Sequence, residues 1–372
     1  MKIAHIVPSL EERHGGPSKS VRSLANTLAH SGEAVDLLTT LEAGQEVSGA
    51  DGDAAQLSTF PRVTPLRLCR SPGLRRHLRA ETYDCIHHHA LWLLTLRYAH
   101  EAAQNSRVPL VISPRGMMSG WAYDHHRWRK VFANLLVHPG AFKAAAGWHA
   151  TSPEEADDIR KLGFAQPVCV SPNGVVLPTR AELSFAREIW HALCPVSRTR
   201  PIALFYSRFH RKKRLLELIA LWLTTSRGDW HLLIVGVAEE YTTAELTARV
   251  AALGAGEKIT VVDGGDRPPP YAIASLFVLP SHSENFGLVI AEALSVGVPA
   301  IVTDTTPWQG MNRENCGWCV PWPNFAQTFT TALETSADEL HAKGQRGRIW
   351  VEREFSWENA ARLLRDFYET LR

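Results

Sequence analysis

The sequence predicts an α/β protein with two sets of alternating strands and helices, each wound around a parallel sheet. Short apolar runs closed by glycine, proline or polar loops recur from residue 2 to residue 302, the pattern of strands buried on both faces. Between them lie longer segments whose apolar residues fall three and four apart, as on one face of a helix. At 372 residues the chain has room for two cores, and a proline- and arginine-containing stretch at 176–200 separates the two series.

Composition narrows function by exclusion. The 45% hydrophobic and 21% charged content is that of a folded chain. A formal net charge of +2 is too small to argue for nucleic acid. No apolar run approaches a membrane span. MKIAHIVPSL has one lysine and a brief apolar run, and reads as a first strand rather than a signal peptide. Six cysteines in a chain this long make no disulfide framework, so a cytoplasmic setting is expected.

In the first series, residues 2–7 form the opening strand. A loop with Gly15, Gly16 and Pro17 follows, and Ser18 can cap a helix over 20–30 with Val21, Leu24, Ala25 and Leu28 on one face. Strand, glycine pair and helix entrance make a phosphate-approach geometry, although such a pair is more often only a tight turn. Residues 35–39 are a second strand. The small-residue loop 43–56 holds Asp51-Gly52-Asp53, which superficially matches an Asp-x-Asp metal motif but lacks the strand end that would hold it. The stretch 62–79 carries Arg62, Arg67, Arg70, Arg75, Arg76 and Arg79 and no acid, with Leu74 and Leu78 on an apolar side. It reads either as a solvated basic helix or as a patch for an anionic surface.

Residues 85–89 form a strand ending in His87-His88-His89. Alternate side chains of a strand point to opposite faces, so these three cannot all reach one ion. No partner cluster is evident, and no metal site is expected. Residues 109–113 are the next strand, running into PRGMMSGWAYDHHRWRK, where the Arg115 fork suits a phosphate held bidentately. Trp121, Arg127, Trp128, Arg129 and Lys130 make a basic, aromatic helix start that either packs or lies on a membrane surface. Residues 145–151 read as a strand, 153–164 as a helix ending at Gly163, and 168–171 as the last strand before Pro172-Asn173-Gly174-Val175.

The second series has expected strands at 202–206, 232–235, 259–262, 276–279 and 300–302. The first runs into SRFHRKKRLLELIALW, in which Arg208 and Lys213 are either a basic helix cap or cations for a diphosphate leaving group. Cys316 and Cys319 are formally C-x-x-C but lack the strand-to-helix context of a redox motif. Ser356 caps a final helix over 357–371.

The most informative stretch is 276–303, LFVLPSHSENFGLVIAEALSVGVPAIVT, a strand–loop–helix–strand unit. Its loop opens at the carboxyl edge of a parallel sheet, where open α/β folds bind ligands. Glu284 lies in the loop, and Glu292, eight residues on, lies near the start of the helix. Glu292 could accept two hydrogen bonds from a vicinal diol such as a ribose. The backbone N–H groups of Asn285, Phe286, Gly287 and Leu288 could hold a phosphate or sugar hydroxyl at the helix entrance. Gly287 lets a ligand come close. A bare pair of glutamates eight apart is more often two surface residues beside a turn.

Taken whole, the stretch resembles the Glu-x7-Glu signature of the retaining family 4 glycosyltransferases, through FVLPS, the E-x-FGL turn, the EAL helix and the GVPAIVT strand. The resemblance extends over most of the chain. It includes SLEERHGGPSKSVRSLANTLAHSG, DCIHHHALW, the P-R-G-M turn of a polysaccharide-building branch, PNGV, SRFHRKKRLLELIALW, TPW and CGW. It implies the GT-B architecture, two Rossmann-like domains facing across a cleft. The expected boundaries are 1–175 for an acceptor-side domain, 176–200 for a connector, 201–355 for a nucleotide-sugar-binding domain, and 356–372 for a helix crossing back to the first.

The resemblance also implies roles. Glu284 would lie by the donor sugar and Glu292 would hold the nucleotide ribose. Arg208 and Lys213 would neutralise the donor diphosphate, and the Gly15-Gly16 backbone would approach both that phosphate, at Gly16, and the acceptor, at Gly15. His89 and Asn173 would line the cleft. Arg115 stands where many relatives carry a histidine near the reacting sugar. Ser207 and Arg214 stand where glycine is usual, so a tighter or shifted loop is expected. The implied activity is retaining transfer of a sugar from a UDP- or GDP-linked donor to a glycan or polyprenyl-diphosphate-linked acceptor, in exopolysaccharide, capsule or lipopolysaccharide synthesis. No metal or other cofactor and no nucleic acid is expected, and peripheral contact with the inner face of a membrane is. The alternatives are a sugar-nucleotide epimerase of the same architecture, or an inactive family member serving as an assembly partner.

Overall fold

The computed structural model describes residues 1–10, 16–45, 47, 52–119, 136–225 and 229–372. It divides into two compact units, Met1–Gly174 with Ser356–Arg372, and Val175–Phe355.

The first unit holds strands β1 (Lys2–Val7), β2 (Ala34–Leu41), β3 (Gln56–Pro61), β4 (Cys85–His89), β5 (Leu110–Ser113), β6 (Gly147–Ala150) and β7 (Val168–Val170). They form one parallel sheet in the order β3-β2-β1-β4-β5-β6-β7. Helices α1 (Gly16–His30), α2 (Pro72–Ala80) and α3 (Leu94–Ser106) flank it. The period of two along β1 sorts its side chains between two cores. Ile3 and Val7 join α1 and the C-terminal helix Trp357–Thr370, while Ala4 and Ile6 join α2 and α3. Strand β4 is buried throughout, which is why its apolar-plus-histidine run was readable. Strand β3, an edge strand with exposed residues, left no such run and was not expected. Helix α1 begins at Gly16, earlier than the expected 20–30.

The second unit holds β8 (Ile202–Tyr206), β9 (His231–Gly236), β10 (Ile259–Asp263), β11 (Leu276–Leu279), β12 (Ala300–Thr303) and β13 (Gly317–Val320). They form a parallel sheet in the order β10-β9-β8-β11-β12-β13. Helix α4 (Arg180–Leu193) occupies the stretch expected to connect the series; a Thr179–Glu182 capping box opens it, and Trp190 is fully buried in this unit's core. Helix α5 (Leu288–Ser295) follows β11.

In both sheets the first strand lies between two neighbours reached in opposite directions, so each has a switch point, at β1/β4 and at β8/β11. Loops leaving the carboxyl ends of such strands diverge and open a crevice. Among the described residues no helix is long and apolar enough to cross a membrane.

Candidate functional site

At the second switch point the loops leaving β8 and β11 meet. The β8 loop ends in a short turn, Arg211–Lys213, and Arg214 follows with φ 51° and ψ 39°. Arg214, standing where the resemblance implies glycine, thus itself adopts the left-handed region that favours glycine. Its guanidinium lies 4.4 Å from the Trp322 ring centre and donates to His282 Nε2 at 3.2 Å. The backbone N–H of His282 in turn donates to Lys212 O at 2.8 Å, joining the two loops.

This junction brings Lys213 and Glu284 together. The Lys213 ammonium donates to Glu284 Oε1, with side-chain exposures of only 8% and 10%. Ser281 Oγ donates to the same oxygen at 2.5 Å. Burial pushes the Glu284 carboxyl up, but Lys213 and Ser281 outweigh it, and the group sits below the usual carboxylate range. Arg208 is not part of this contact. Its half-exposed guanidinium donates to Glu239 at 2.8 Å. Burial lowers the Lys212 ammonium, with Glu284 opposing and both Lys213 and Arg208 contributing, so all four charges share one neighbourhood.

Glu292 lies in the second turn of α5, not at its start as the sequence had implied. Tyr271 donates its hydroxyl to Glu292 Oε2 at 2.7 Å. Both line a cavity of about 270 Å³ whose walls include Leu183, Phe185, Pro268 and Pro269. At the helix entrance Gly287 has φ 77°, and no side chain caps the first turn that begins at Leu288. Trp308 Nε1 donates to Phe286 O at 2.6 Å and holds that turn, which also contains Asn285, from behind.

In the first unit three residues from separate motifs form one cluster. Arg115 donates through Nε and Nη2 to His89 Nδ1, at 3.3 and 3.1 Å, and through Nη1 to Asn173 Oδ1 at 2.9 Å. All three residues are buried. The Nε/Nη2 edge of the fork, the edge that a bidentate phosphate would take, here faces His89. Gly16 opens α1, while Gly15 lies outside the described residues, as do Asp51 and the segment with Trp121, Arg127, Trp128, Arg129 and Lys130. Asp53 accepts from Arg22 at 2.8 Å and from Asn26 at 2.5 Å, a local ion pair in the stretch that offered the Asp-x-Asp match.

The histidine run needs a correction. His87 and His89 share a face, as strand alternation requires, and His88 turns away to Thr95. A partner does exist. His5 on β1 stands in register with His87, and the ligand atoms of His5, His87 and His89 lie within 4.8 Å of one another.

The arginine stretch also differs from expectation. Leu74 and Leu78 are buried in the core, so the apolar side of α2 faces inward. Arg75 makes a two-pronged contact with Glu101 of α3, at 2.8 and 3.0 Å, and Arg79 shares that acid. Arg62 is held by Glu42, Thr40 and the Pro8 carbonyl. Arg67, Arg70 and Arg76 are exposed and lack an ion pair among the described residues, and Val63 and Leu66 are exposed in the same stretch of chain.

Sequence reasoning assigned no role to His5, Tyr271, Ser281, Glu239 or Lys212. Ser281 and Lys212 were within reach, since each neighbours a named residue in its own loop. His5, Tyr271 and Glu239 come from other elements, and only the sheet register or the crossing loops bring them in.

Comparison with known proteins agrees with this geometry. Residues 15–174 match the model of the glycosyl transferase 4-like domain, and residues 187–367 match that of the glycosyl transferases group 1. A GDP-mannose:cellobiosyl-diphosphopolyprenol alpha-mannosyltransferase of Xanthomonas campestris is 25% identical over 324 residues, covering 85% of this chain and 82% of its own. Sucrose-phosphate synthase from Thermosynechococcus elongatus superposes with TM-score 0.77 at 22% identity, covering 100% of this chain and 98% of its own. Anabaena HepE, solved with UDP and glucose, superposes with TM-score 0.78 at 18% identity over the whole of both chains. With two matched models spanning most of its length and a fold shared along all of it, the chain belongs to the family 4 glycosyltransferases of GT-B architecture.

Proposed function

We propose that this enzyme moves a hexose from a UDP- or GDP-linked donor to a glycan carried on a polyprenyl diphosphate, with retained anomeric configuration. The observation that carries the proposal is the buried Lys213–Glu284 pair, set at the carboxyl edge of the second sheet beside the α5 entrance. The Xanthomonas relative, by its name, acts on a donor and acceptor of this class.

In this scheme the donor diphosphate takes Lys213 over from Glu284 and draws Arg208 from Glu239, with the N–H groups at 285–288 completing its cradle. Glu284, freed from Lys213, accepts from hydroxyls of the donor sugar. Glu292, oriented by Tyr271, accepts from the ribose diol, and the base lies against the apolar wall at Pro268 and Pro269. The bond from the anomeric carbon to the diphosphate oxygen breaks, and the acceptor oxygen bonds to that carbon on the same face. The acceptor proton passes to the departing diphosphate. Negative charge grows on the diphosphate as the bond breaks, so Lys213 and Arg208 act more strongly on the transition state than on the bound donor. These side chains meet the charge without a metal requirement. Arg115 supplies a fixed positive charge on the acceptor side.

A lipid-linked acceptor also assigns a role to the exposed Arg67, Arg70 and Arg76, the cations expected to meet an anionic leaflet. Exopolysaccharide, capsule or lipopolysaccharide assembly is the setting such an acceptor implies.

Melting the purified enzyme against UDP-, GDP- and TDP-sugars tests the donor assignment. One nucleotide class should raise the midpoint at millimolar concentration, and no response to any of them contradicts it.

A further inference from the structure

The His5, His87 and His89 trio has the spacing of a metal centre, but its surroundings fix a different chemistry. A guanidinium has only donors. Arg115 aims Nε–H and Nη2–H at His89 Nδ1, so that nitrogen must present a lone pair. The neutral ring then carries its proton on Nε2, which lies 3.0 Å from His5 Nδ1 and donates to it. His5 must in turn carry its proton on its own Nε2. A metal on His89 Nε2 would need that proton removed while Nδ1 still faces a cation, and a divalent ion would sit beside a buried guanidinium. Among the described residues the hydrogen-bond partners of that guanidinium are the neutral side chains of His89 and Asn173. Glu155 acts on it only at longer range, its oxygens accepting instead from Gly116 N, Thr151 N and Thr151 Oγ1.

We infer that His5 and His89 are positioning residues for Arg115: His5 holds His89 in the one tautomer that offers the guanidinium an acceptor. The relay runs across β1 and β4, rigid buried strands at the switch point of the first sheet, and ends at the turn after β5. Stacking of the His5 and His89 rings, 5.2 Å apart and 19° from parallel, keeps the two aligned. Asn173 Oδ1 closes the other side of the fork. A buried cation is thus held by neutral hydrogen-bond acceptors, with Glu155 opposing its charge only at longer range, which leaves a positive field for an anionic acceptor group. This inference rests on the role given above to Arg115.

The tautomer can be read without any variant. In long-range proton–nitrogen spectra of the histidine-labelled enzyme at pH 7.5, His5 and His89 should both carry their proton on Nε2. A His89 ring protonated on Nδ1 overturns the inference. In His5→Leu the relay loses its acceptor, so a second His89 tautomer should appear. There kcat should fall by between about tenfold and a hundredfold, as for a displaced positioning contact, with donor KM unchanged. In His5→Asn the side-chain oxygen stands about where Nδ1 was, and both the single tautomer and kcat should return. Wild-type tautomer and kcat in folded His5→Leu also overturn it. Arg115→Leu separates the two levels. If that variant keeps wild-type kcat and acceptor KM, the role of Arg115 on the acceptor side fails, while the spectra still decide how its fork is held.

Discussion

Tyr271 donates its hydroxyl to Glu292 Oε2 across 2.7 Å, so a residue that enters before β11 sets the carboxylate of the helix that leaves after it. Glu292→Ala removes a charged acceptor worth about 1.5–3 kcal/mol and should weaken UDP or GDP binding roughly ten- to a hundredfold. Tyr271→Phe should cost only about 0.5–1.5 kcal/mol, because the carboxylate remains and merely loses its guide. Titration calorimetry with the free nucleotides checks both; unchanged affinity in Glu292→Ala removes it from the site.

The Lys213–Glu284 pair should show in stability as well as in rate. Lys213→Met leaves Glu284 buried with its main partner gone, at a cost of about 3–5 kcal/mol, and adding Glu284→Gln should recover much of that. The folded carboxyl sits below its usual range. Its contribution is therefore complete above the unfolded value near pH 4.3 and is lost as pH falls through the folded value. Denaturant midpoints of Glu284→Gln should fall less steeply than wild type below about pH 4.3. Parallel curves would show that Lys213 does not hold Glu284 ionised.

Catalytic roles separate differently. Replacing Arg208 or Lys213 with alanine should lower kcat more than it raises donor KM. If donor KM alone rises, these cations bind the donor without favouring the departing diphosphate.

The first unit should be acid-sensitive. Burial drives His5, His88 and His149 down to about 3, and His87 and His89 well below their ordinary value, so all five fold neutral. The unfolded chain takes up protons below about pH 6.5 while the folded one does not, so each such histidine removes up to about 1.4 kcal/mol per pH unit on acidification. Denaturant midpoints at pH 7.5 and 5.5 should differ clearly. Equal midpoints would mean that these rings are protonated in the folded state.

What could be read from sequence follows from how each feature is encoded. Buried parallel strands need apolar runs, so β4, β8 and β11 were legible, as was the loop holding Glu284. Edge strand β3 is nowhere fully buried and gave no run. Glu101 neutralises part of the arginine stretch from a different helix, and His5 joins His87 through strand register across more than eighty residues of chain. Neither pairing leaves a local trace. Arg115 was visible as a cation, but the direction of its fork depends on which ring tautomer faces it.

Membrane recruitment can be tested on the arginines that remain exposed. Each basic residue near an anionic leaflet contributes about 1 kcal/mol, decaying with salt over a Debye length of about 10 Å at 0.1 M. Wild type should co-sediment with anionic vesicles at low salt and Arg67/Arg70/Arg76→Gln should do so less. Equal sedimentation of the two removes this face from membrane contact.

The central claim is transfer with retention from a nucleotide sugar held at the Lys213–Glu284 site. Its most direct test is proton NMR of the product formed from the stabilising donor and a diphosphate-linked glycan acceptor, reading the anomeric coupling of the new linkage. The expected product keeps the anomeric configuration of the donor and is lost in Lys213→Ala. An inverted linkage, or a donor isomerised without acceptor, would contradict it.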